Sequence, residues 1–385
     1  MHTIKAVPVI AVALLAFLIQ EAMAIPAFAR KYDMSCTTCH APFPKLKPFG
    51  DEFARNGYRL SQEPPRAYRE TGDEKLLLMR ELPVAIRFEG YVNYQANGGQ
   101  QTDFQAPFIM KLLSSGQIAH DVGYYFYFLM TEGGEIVGPE DAFLYFNNLF
   151  GVDFDISIGQ FQVCDPLFKR ELRLTREDYA IYSLQVGDSR ASLTYDRGMM
   201  VSYGFPTKTD VVLEILNGSG IGGPAGSGFL DNDKNKNFAL RLSQEIMANL
   251  RIGAFAYMGK ESQNGFTNAT SILGPDLTAS FGPLELNAQY LHREDDNPSF
   301  AKTAARVTLD GAFGELIYSP AGDKSDWFGV FLYNWLRSVT PGMSYQSATV
   351  NGNYMLARNL RLVGEYTHDL EHNVSRVSLG FVSAF

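Results

Sequence analysis

The residues with the clearest chemistry are Cys36, Cys39 and His40, in the run CTTCH at 36–40. Two thiols three residues apart on one helical turn can each add to a vinyl group of the same porphyrin, and the adjacent imidazole can ligate the iron. Zinc would need two more ligands nearby, but no Cys or His follows until His120. A thioredoxin-like dithiol would need a βαβ pattern, which is missing here. The motif therefore predicts one covalent haem c, with Cys36 and Cys39 as thioethers and His40 as an axial ligand.

The second axial position of the iron has several candidates. Met79 lies 39 residues after His40, beyond the polar stretch 61–74, so the chain has room to reach the far face of the haem. Ligation by a methionine would raise the reduction potential. Met34 precedes the motif too closely to cross over easily. The remaining candidates are water, an empty position and the distal histidines His120, His292, His368 and His372. We predict Met79 as the sixth ligand, against the hypothesis that it only fills a gap where the linker meets the next domain.

The residues that carry this motif follow an export signal. Residues 1–24 combine Lys5, an apolar stretch over 6–19 and a small-residue cleavage site at 22–24. The apolar stretch is shorter than the roughly 20 residues that a transmembrane helix needs. We expect a signal peptide over 1–24 and a mature chain that begins near Ile25, outside the cytoplasm.

From about residue 82 to the terminal Phe385, apolar and polar residues alternate with a period of two, which indicates β-strands. A soluble sandwich would also alternate, with its apolar face inward. The signal peptide, the terminal Phe and segments near the roughly 10 residues of a tilted spanning strand favour a membrane barrel. The predicted strands are 82–96, 104–118, 121–132, 142–150, 152–163, 191–204, 208–217, 236–246, 249–260, 269–281, 283–293, 303–318, 326–335, 343–355, 357–369 and 373–385. We predict a mainly β fold, a transmembrane antiparallel barrel of about 16 strands, with 14 as the alternative count.

Composition and charge agree with this class. The chain has 20 Tyr and 28 Phe but no helix-long apolar run after the signal, which suits a barrel better than a helical bundle. Its net charge of −9 makes nucleic acid an unexpected partner. Outer-membrane lipid is the expected surroundings of the strands.

The segment 165–190 is densely charged, and its charge fits two interpretations. It either folds into the lumen and selects ions, or it forms a charged loop in solvent. Cys164 at its edge has no obvious partner, so we expect a free, sheltered thiol. The polar stretch 217–236 is expected to be a loop, because its glycines lack the Lys-Ser/Thr of a phosphate loop and 231–235 lacks the glycine and distal Glu of a calcium loop.

Residues 25–81 form a small N-terminal unit, ahead of the barrel at 82–385. Pro42, Pro44 and Pro48 suit an irregular wrap over a haem, and a short helix at 48–57 spaces Phe49 and Phe53 at i and i+4. Those rings either pack on the porphyrin or form a small protein core. A unit this short buries too little surface to fold alone, and we therefore expect the bound haem to stabilise it.

Four stretches resemble the fused monohaem cytochrome–porins of the bacterial outer membrane, which include iron-oxidase-like cytochromes. They are IPAFAR at 25–30, CTTCH at 36–40, PKLKPFG at 44–50 and NGY at 56–58. The resemblance implies a small α-helical cytochrome that plugs or caps the lumen of the barrel and passes electrons across the membrane. His40 and the two cysteines match the family motif directly, whereas Met79 is carried over without such a match, because the spacing and surroundings of the distal ligand vary in the family.

The expected function is electron transfer between an extracellular donor or acceptor, such as iron, and a periplasmic c-type cytochrome. An Fe(II) oxidase activity is one form of it, and the direction of electron flow is open. The alternative is a solute- or ion-selective porin in which the haem unit is a structural plug or redox gate. A third hypothesis is a soluble periplasmic haem protein built on a β-sandwich.

Overall fold

The structure is a computed structural model that describes residues 27–60, 68–69, 71–73, 75–80, 83–97, 101–223, 228–231, 233–303 and 305–385. The predicted signal peptide lies outside these ranges. The helices are α1 (Ala27–Tyr32), α2 (Cys36–Cys39), α3 (Pro48–Arg55) and α4 (Ala180–Ser183). Strands β1 (Tyr68–Arg69) and β2 (Leu78–Met79) pair before the barrel begins. Within the described ranges, every helix is too short or too polar to cross a membrane.

Sixteen strands of the described residues close into one antiparallel barrel. Strands β3 to β18 span Val84–Ala96, Gln101–Ala119, Val122–Glu132, Gly138–Phe146, Phe154–Gln162, Tyr195–Gly204, Thr209–Leu216, Asn237–Met247, Leu250–Gln263, Phe266–Phe281, Leu284–Asp295, Val307–Tyr318, Trp327–Ser338, Tyr345–Ala357, Leu360–Asp369 and Val374–Ala384. The last strand, β18, pairs with the first, β3, and this pairing closes the barrel. The predicted count of 16 is confirmed, and the count of 14 is wrong.

The largest shift from a predicted strand is at β6, which the sequence pattern predicts at 142–150 and which spans Gly138–Phe146. The chain leaves the sheet because Asn148 and Phe150 have left-handed φ angles of 50° and 62° in a 3₁₀ turn at Leu149–Gly151. A strand cannot continue through such a turn. The turn residues therefore set the strand end, against the apolar pattern, which favoured an end four residues later at 150.

The barrel turns its apolar side chains outward. On β13, Leu284, Leu286 and Tyr290 are exposed, while the alternating Asn287 and Gln289 are buried inside. A soluble sandwich would bury the apolar row and expose the polar one. The β-sandwich hypothesis is therefore wrong, and the outer face has the character of a surface in contact with lipid.

The connection between β7 and β8, residues 163–194, folds into the barrel, and we call it the lumenal segment. Its Val163 and Tyr182 are buried in one cluster with inward side chains of β11 to β15. The wall side chains beside it, Tyr257, Leu332 and Asn334, are 0% exposed. A wide aqueous channel would leave such side chains accessible, so the lumen is filled at this level. The lumenal interpretation of 165–190 is confirmed in its placement, and this connection is longer than the one at 217–236.

The two ends of the barrel differ. At one end adjacent strands are joined by short connections such as 120–121, 248–249, 282–283 and 358–359. The lumenal segment and the connection at 217–236 start from the other end. We call these the short-turn end and the long-loop end. The N-terminal residues 27–60, which we call the cap, lie at the short-turn end, as their contacts with Asp121, Asp210 and Glu285 show.

Candidate functional site

The two cysteines of the motif share one helical turn. Helix α2 begins after Ser35, whose hydroxyl accepts a hydrogen bond from the backbone N–H of Thr37 at 3.4 Å. Cys36 and Cys39 are half-buried, and neither is in a disulfide. Residues three apart on a helix lie on one face, with Cβ atoms roughly 5–6 Å apart. Both thiols therefore face the same side, as thioether bonds to one porphyrin require.

His40 leaves the helix in an extended conformation, with φ −119° and ψ 132°. Its Nδ1 lies 2.6 Å from the carbonyl oxygen of Pro44. A carbonyl only accepts, so Nδ1 carries the proton and Nε2 keeps the lone pair that a metal can take. Burial lowers the pKa of His40, which favours the neutral imidazole that ligation requires.

The redox-dithiol and zinc chemistries of the cysteine pair find little support. Burial raises the pKa of the Cys36 thiol, and burial together with the neighbouring Cys36 raises that of Cys39. A redox-active dithiol instead has a lowered pKa. Among the described residues, no three His, Cys, Asp or Glu side chains are grouped so that they could hold a metal ion. The donor set of two thiols and one oriented imidazole fits haem c better than either a redox dithiol or zinc.

An aromatic core holds the cap together. Phe53 is 5% exposed, and its ring lies 5.4 Å from Phe28 and 5.5 Å from Tyr32. For Phe53 the structure thus favours a role in a protein core over packing on porphyrin. Phe49 is 39% exposed and keeps a face for a ligand. Helix α3 approaches α2 at Gly50, where a Cβ would lie 2.3 Å from the carbonyl oxygen of Cys39.

The ion pairs that attach the cap to the barrel all have the cation on the cap and the acid on the barrel. Four cap cations contact four acids at the short-turn end of the barrel, among the described residues. The pairs are Lys45–Glu285 at 2.8 Å, Arg55–Asp210 at 3.2 Å, Arg59–Asp121 at 2.7 Å and Lys47–Asp323. Each pair is partly exposed, so each contributes at most about 1 kcal/mol. Together they place a basic cap on an acidic rim.

Aromatic contacts extend this attachment into the lumen. The ring of Tyr58 stacks on Tyr125 of β5 at 5.1 Å. Tyr145 of β6 donates a hydrogen bond to the carbonyl of Gly57. Phe43, whose ring is 5.4 Å from that of His40, packs against a buried cluster on the barrel wall that includes Tyr91. The cap therefore enters the mouth of the barrel as well as covering it.

Met79 lies in β2 against the barrel wall. A Cβ at Gly116 of β4 would come within 2.5 Å of its sulfur, so the thioether fills the space that this glycine leaves open. This packing agrees with the gap-filling hypothesis for Met79. Its role as sixth ligand stays a prediction.

Three of the distal histidines lie far from the cap. His292 is seven residues along β13 from Glu285, the partner of Lys45, which is about 23 Å at the usual strand rise. His368 and His372 lie near the same long-loop end as His292. His120 is at the short-turn end, but it is 89% exposed and pairs with Asp121 at 2.6 Å. The structure brings none of these four side chains to His40 within the described residues.

The acids that receive the cap were not singled out from the sequence. Asp121, Asp210, Glu285 and Asp323 lie in short turns or at strand starts, where charge is ordinary. The one available signal was the excess of cations in this part of the cap, at 45, 47, 55 and 59, over the two acids between them, Asp51 and Glu52. A pairing with a barrel rim requires the closed fold.

No protein-family model matches this chain, and no curated protein matches its sequence. Solved structures do resemble it. An anion-selective porin from Comamonas acidovorans is 8% identical with a TM-score of 0.61, over 79% of this chain and 99% of that one. OmpF of Salmonella typhi, solved with daunomycin, is 11% identical with a TM-score of 0.57, over 81% and 98%. A porin refined at 1.8 Å is 15% identical with a TM-score of 0.57, over 79% and 100%.

The barrel has the porin fold. At these identities the likeness concerns architecture alone, and the share of this chain that is covered is the size of the barrel, residues 82–385. A closed 16-stranded barrel of this fold with an apolar outer face belongs in the bacterial outer membrane. Short turns face the periplasm in such barrels, so the cap lies at the periplasmic mouth and the connection at 217–236 faces outward.

Proposed function

We propose that this protein is an outer-membrane electron-transfer protein whose cap carries one covalently bound haem c. The observation that carries the proposal is the arrangement of Cys36, Cys39 and His40, with two thiols on one turn and an imidazole whose Nε2 is left for a metal. A bound haem would supply reversible one-electron chemistry. The chain would anchor it through both thiols and orient it through the hydrogen bond from His40 to Pro44.

The setting of the cap supports this function. A packed lumen excludes large solutes but does not prevent electrons from passing between closely packed groups. The half-buried cysteines lie at the periplasmic mouth, where a periplasmic c-type cytochrome could approach. An extracellular donor or acceptor, such as iron, would meet the barrel at its long-loop end. An Fe(II) oxidase role is the enzymatic form of the same proposal.

The second candidate is a solute- or ion-selective porin in which the cap is a structural plug or redox gate. The comparisons favour this candidate more directly than electron transfer, because the structures that resemble the barrel are porins. The filled lumen limits such a porin to small solutes. The first candidate rests instead on the cap, about which the comparisons give no information.

Haem attachment is tested first. Export-competent cells would produce wild type, Cys36→Ala/Cys39→Ala and Cys164→Ala. We expect haem absorbance that stays with the denatured wild-type and Cys164→Ala polypeptides and is lost from the double variant. Cys164 is the matched control, because it is the third cysteine and lies buried in the lumen. Wild type without covalent haem would contradict the proposal.

Electron transfer is tested with the intact protein in liposomes that enclose a redox dye. Fe(II) added outside should reduce the dye in wild-type vesicles and not in vesicles with Cys36→Ala/Cys39→Ala. Swelling assays on the same vesicles measure solute entry. Fast entry of small solutes without haem-dependent dye reduction would favour the porin candidate over electron transfer.

A further inference from the structure

An open cleft lies at the long-loop end, where the lumenal segment returns to the barrel wall. Its volume of about 520 Å³ is within the roughly 300–1,000 Å³ of ordinary ligand sites. One wall is the end of the lumenal segment, and the other is the turn between β11 and β12. The residues that line the cleft are Gln185, Asp188, Arg190, Ser262, Gln263 and Asn264. Because the long-loop end faces outward, the cleft opens on the outside of the cell.

Hydrogen bonds hold the wall formed by the lumenal segment in place. Glu261 of β11 is 4% exposed, and its carboxylate accepts a hydrogen bond from Oγ of Ser189 at 2.6 Å. The same carboxylate accepts one from the backbone N–H of Arg190 at 2.9 Å. The backbone N–H of Asp188 donates to the carbonyl oxygen of Pro298 at 2.8 Å. This wall is therefore formed before a ligand arrives, which lowers the entropy cost of binding.

The wall formed by the β11–β12 turn is held in the same way. The backbone N–H of Ser262 donates to Oδ2 of Asp233 at 2.6 Å. Nδ2 of Asn235 donates to Oγ of Ser262 at 3.2 Å, and the backbone N–H of Asn235 donates to Oδ1 of Asp233 at 2.6 Å. Both walls are therefore fixed by carboxylates that do not line the cleft themselves.

Four of the lining side chains are exposed and make no side-chain hydrogen bond or ion pair with another described residue. They are Gln185, Asp188, Gln263 and Asn264. Three of the four are primary amides, and each amide offers both donors and an acceptor. The cleft therefore presents donors and acceptors side by side, with a fixed backbone behind them.

The charges that line the cleft balance, since Asp188 and Arg190 are of opposite sign and the other four lining residues are neutral. The carboxylates of Glu261 and Asp233 are already engaged by donors of the walls. An inorganic anion would meet a carboxylate here, and a simple cation would meet a guanidinium. An apolar ligand would find only polar side chains. A neutral ligand rich in hydroxyl groups fits best, because each hydroxyl both donates and accepts.

We propose that this cleft binds a neutral saccharide at the outer surface of the protein. The proposal goes beyond electron transfer and does not depend on the haem, since its residues belong to the lumenal segment and the β11–β12 turn. It concerns binding from outside and requires no passage of the sugar through the filled lumen.

The test measures binding of maltotriose and cellotriose to the full-length protein by saturation-transfer NMR and calorimetry, in a detergent without a sugar headgroup. We expect binding by wild type that added salt does not weaken, because the lining charges balance. Asp188→Ala/Asn264→Gly should weaken the affinity about tenfold or more, through the loss of the hydrogen bonds that the two side chains make to the sugar. Gln263→Ala, which leaves the turn unchanged, is the second cleft variant and should also weaken it.

The matched control is Glu371→Ala/Asn373→Gly, which should bind like wild type. It changes an exposed acid and a turn asparagine in another connection at the long-loop end. Asn264 and Asn373 have similar left-handed φ angles of 52° and 54°, which glycine also adopts. Heat-modifiable mobility on gels shows that each variant is folded.

A second arm uses lipid-free polysaccharide from the bacterial surface in place of the trisaccharides. Binding in either arm supports the proposal, and the comparison shows whether the sugar is free or part of a surface polysaccharide. No binding by wild type in both arms, unchanged binding in both cleft variants, or an equal loss in the control would each overturn it. The result is independent of the haem test, because binding is measured without an electron donor.

Discussion

At the scale of single residues, the cap depends on positions where only glycine fits. Gly57 has a φ of 69°, and a Cβ there would come within 2.0 Å of the ring of Tyr145. This explains why a glycine stands in the middle of the NGY run at 56–58. Both the backbone conformation and the close packing require a glycine here. An experiment can separate the backbone effect from the packing effect.

Gly57→Ala should loosen the cap by more than the backbone strain alone, which costs about 1–3 kcal/mol for a residue held in an unfavourable conformation. The measurement is the rate of protease cleavage within the cap. Gly72→Ala is the control, because Gly72 has a φ of 73° but nothing within 4 Å of its Cβ position. Equal effects of the two changes would contradict the packing argument.

Met79→Leu separates ligation from packing at the iron. Leucine has nearly the volume of methionine, so barrel stability should change by less than about 1.5 kcal/mol. If Met79 ligates the haem, its loss should lower the reduction potential, which redox titration of the haem absorbance measures. Met34→Leu is the control. An unchanged potential in Met79→Leu would leave Met79 as the gap-filler that its contact with Gly116 suggests.

At the scale of elements, the cap is held to the barrel by ion pairs between its own cations and acids of the barrel. The four ion pairs are partly exposed, so salt should screen them. Helix α3 contributes Arg55, and the loop before it contributes Lys45 and Lys47. Release of the cap should therefore be more sensitive to ionic strength than unfolding of the barrel.

Glu285→Gln/Asp323→Asn should weaken docking of the cap by up to about 1 kcal/mol per lost pair. The expected result is faster protease access to the cap at low salt, with a smaller further effect of added salt than in wild type, because two of the four pairs remain. Glu245→Gln is the matched control, since it removes a rim ion pair with Lys208 that does not involve the cap. If added salt releases the double variant and wild type equally, the electrostatic account is wrong.

At the scale of the whole molecule, the lumenal segment decides what the barrel can pass. Its apolar side chains pack against β10 to β15, and its charged residues contact β3, β17 and β18. A barrel of this fold without it would have an open lumen.

Replacing residues 165–190 by a short flexible linker should convert the barrel into a channel for sugars. Liposome swelling should be slow for wild type and fast for this variant. Shortening the other long connection, 217–236, is the control and should leave swelling slow. Fast sugar entry through the wild-type protein would contradict the filled lumen.

Much of this molecule could be predicted from its sequence, because the signals are local. Alternation with a period of two is a property of each strand by itself, and it predicted all sixteen strands. The spacing of Cys36, Cys39 and His40 is likewise fixed within one turn of helix. Strand ends were less certain, as β6 shows, since turn conformations at Asn148 and Phe150 compete with the apolar pattern.

The tertiary structure decided what depends on residues far apart in the chain. Charge in 165–190 suits solvent and lumen equally, and only closure of the barrel gives those residues buried partners such as Glu365, 189 residues from Arg176. The contacts between the cap and the acids of the barrel depend on closure of the barrel in the same way. Sequence determines which residues can form strands or hold a haem, whereas the closed barrel determines which charges meet, because burial makes an unpaired charge costly.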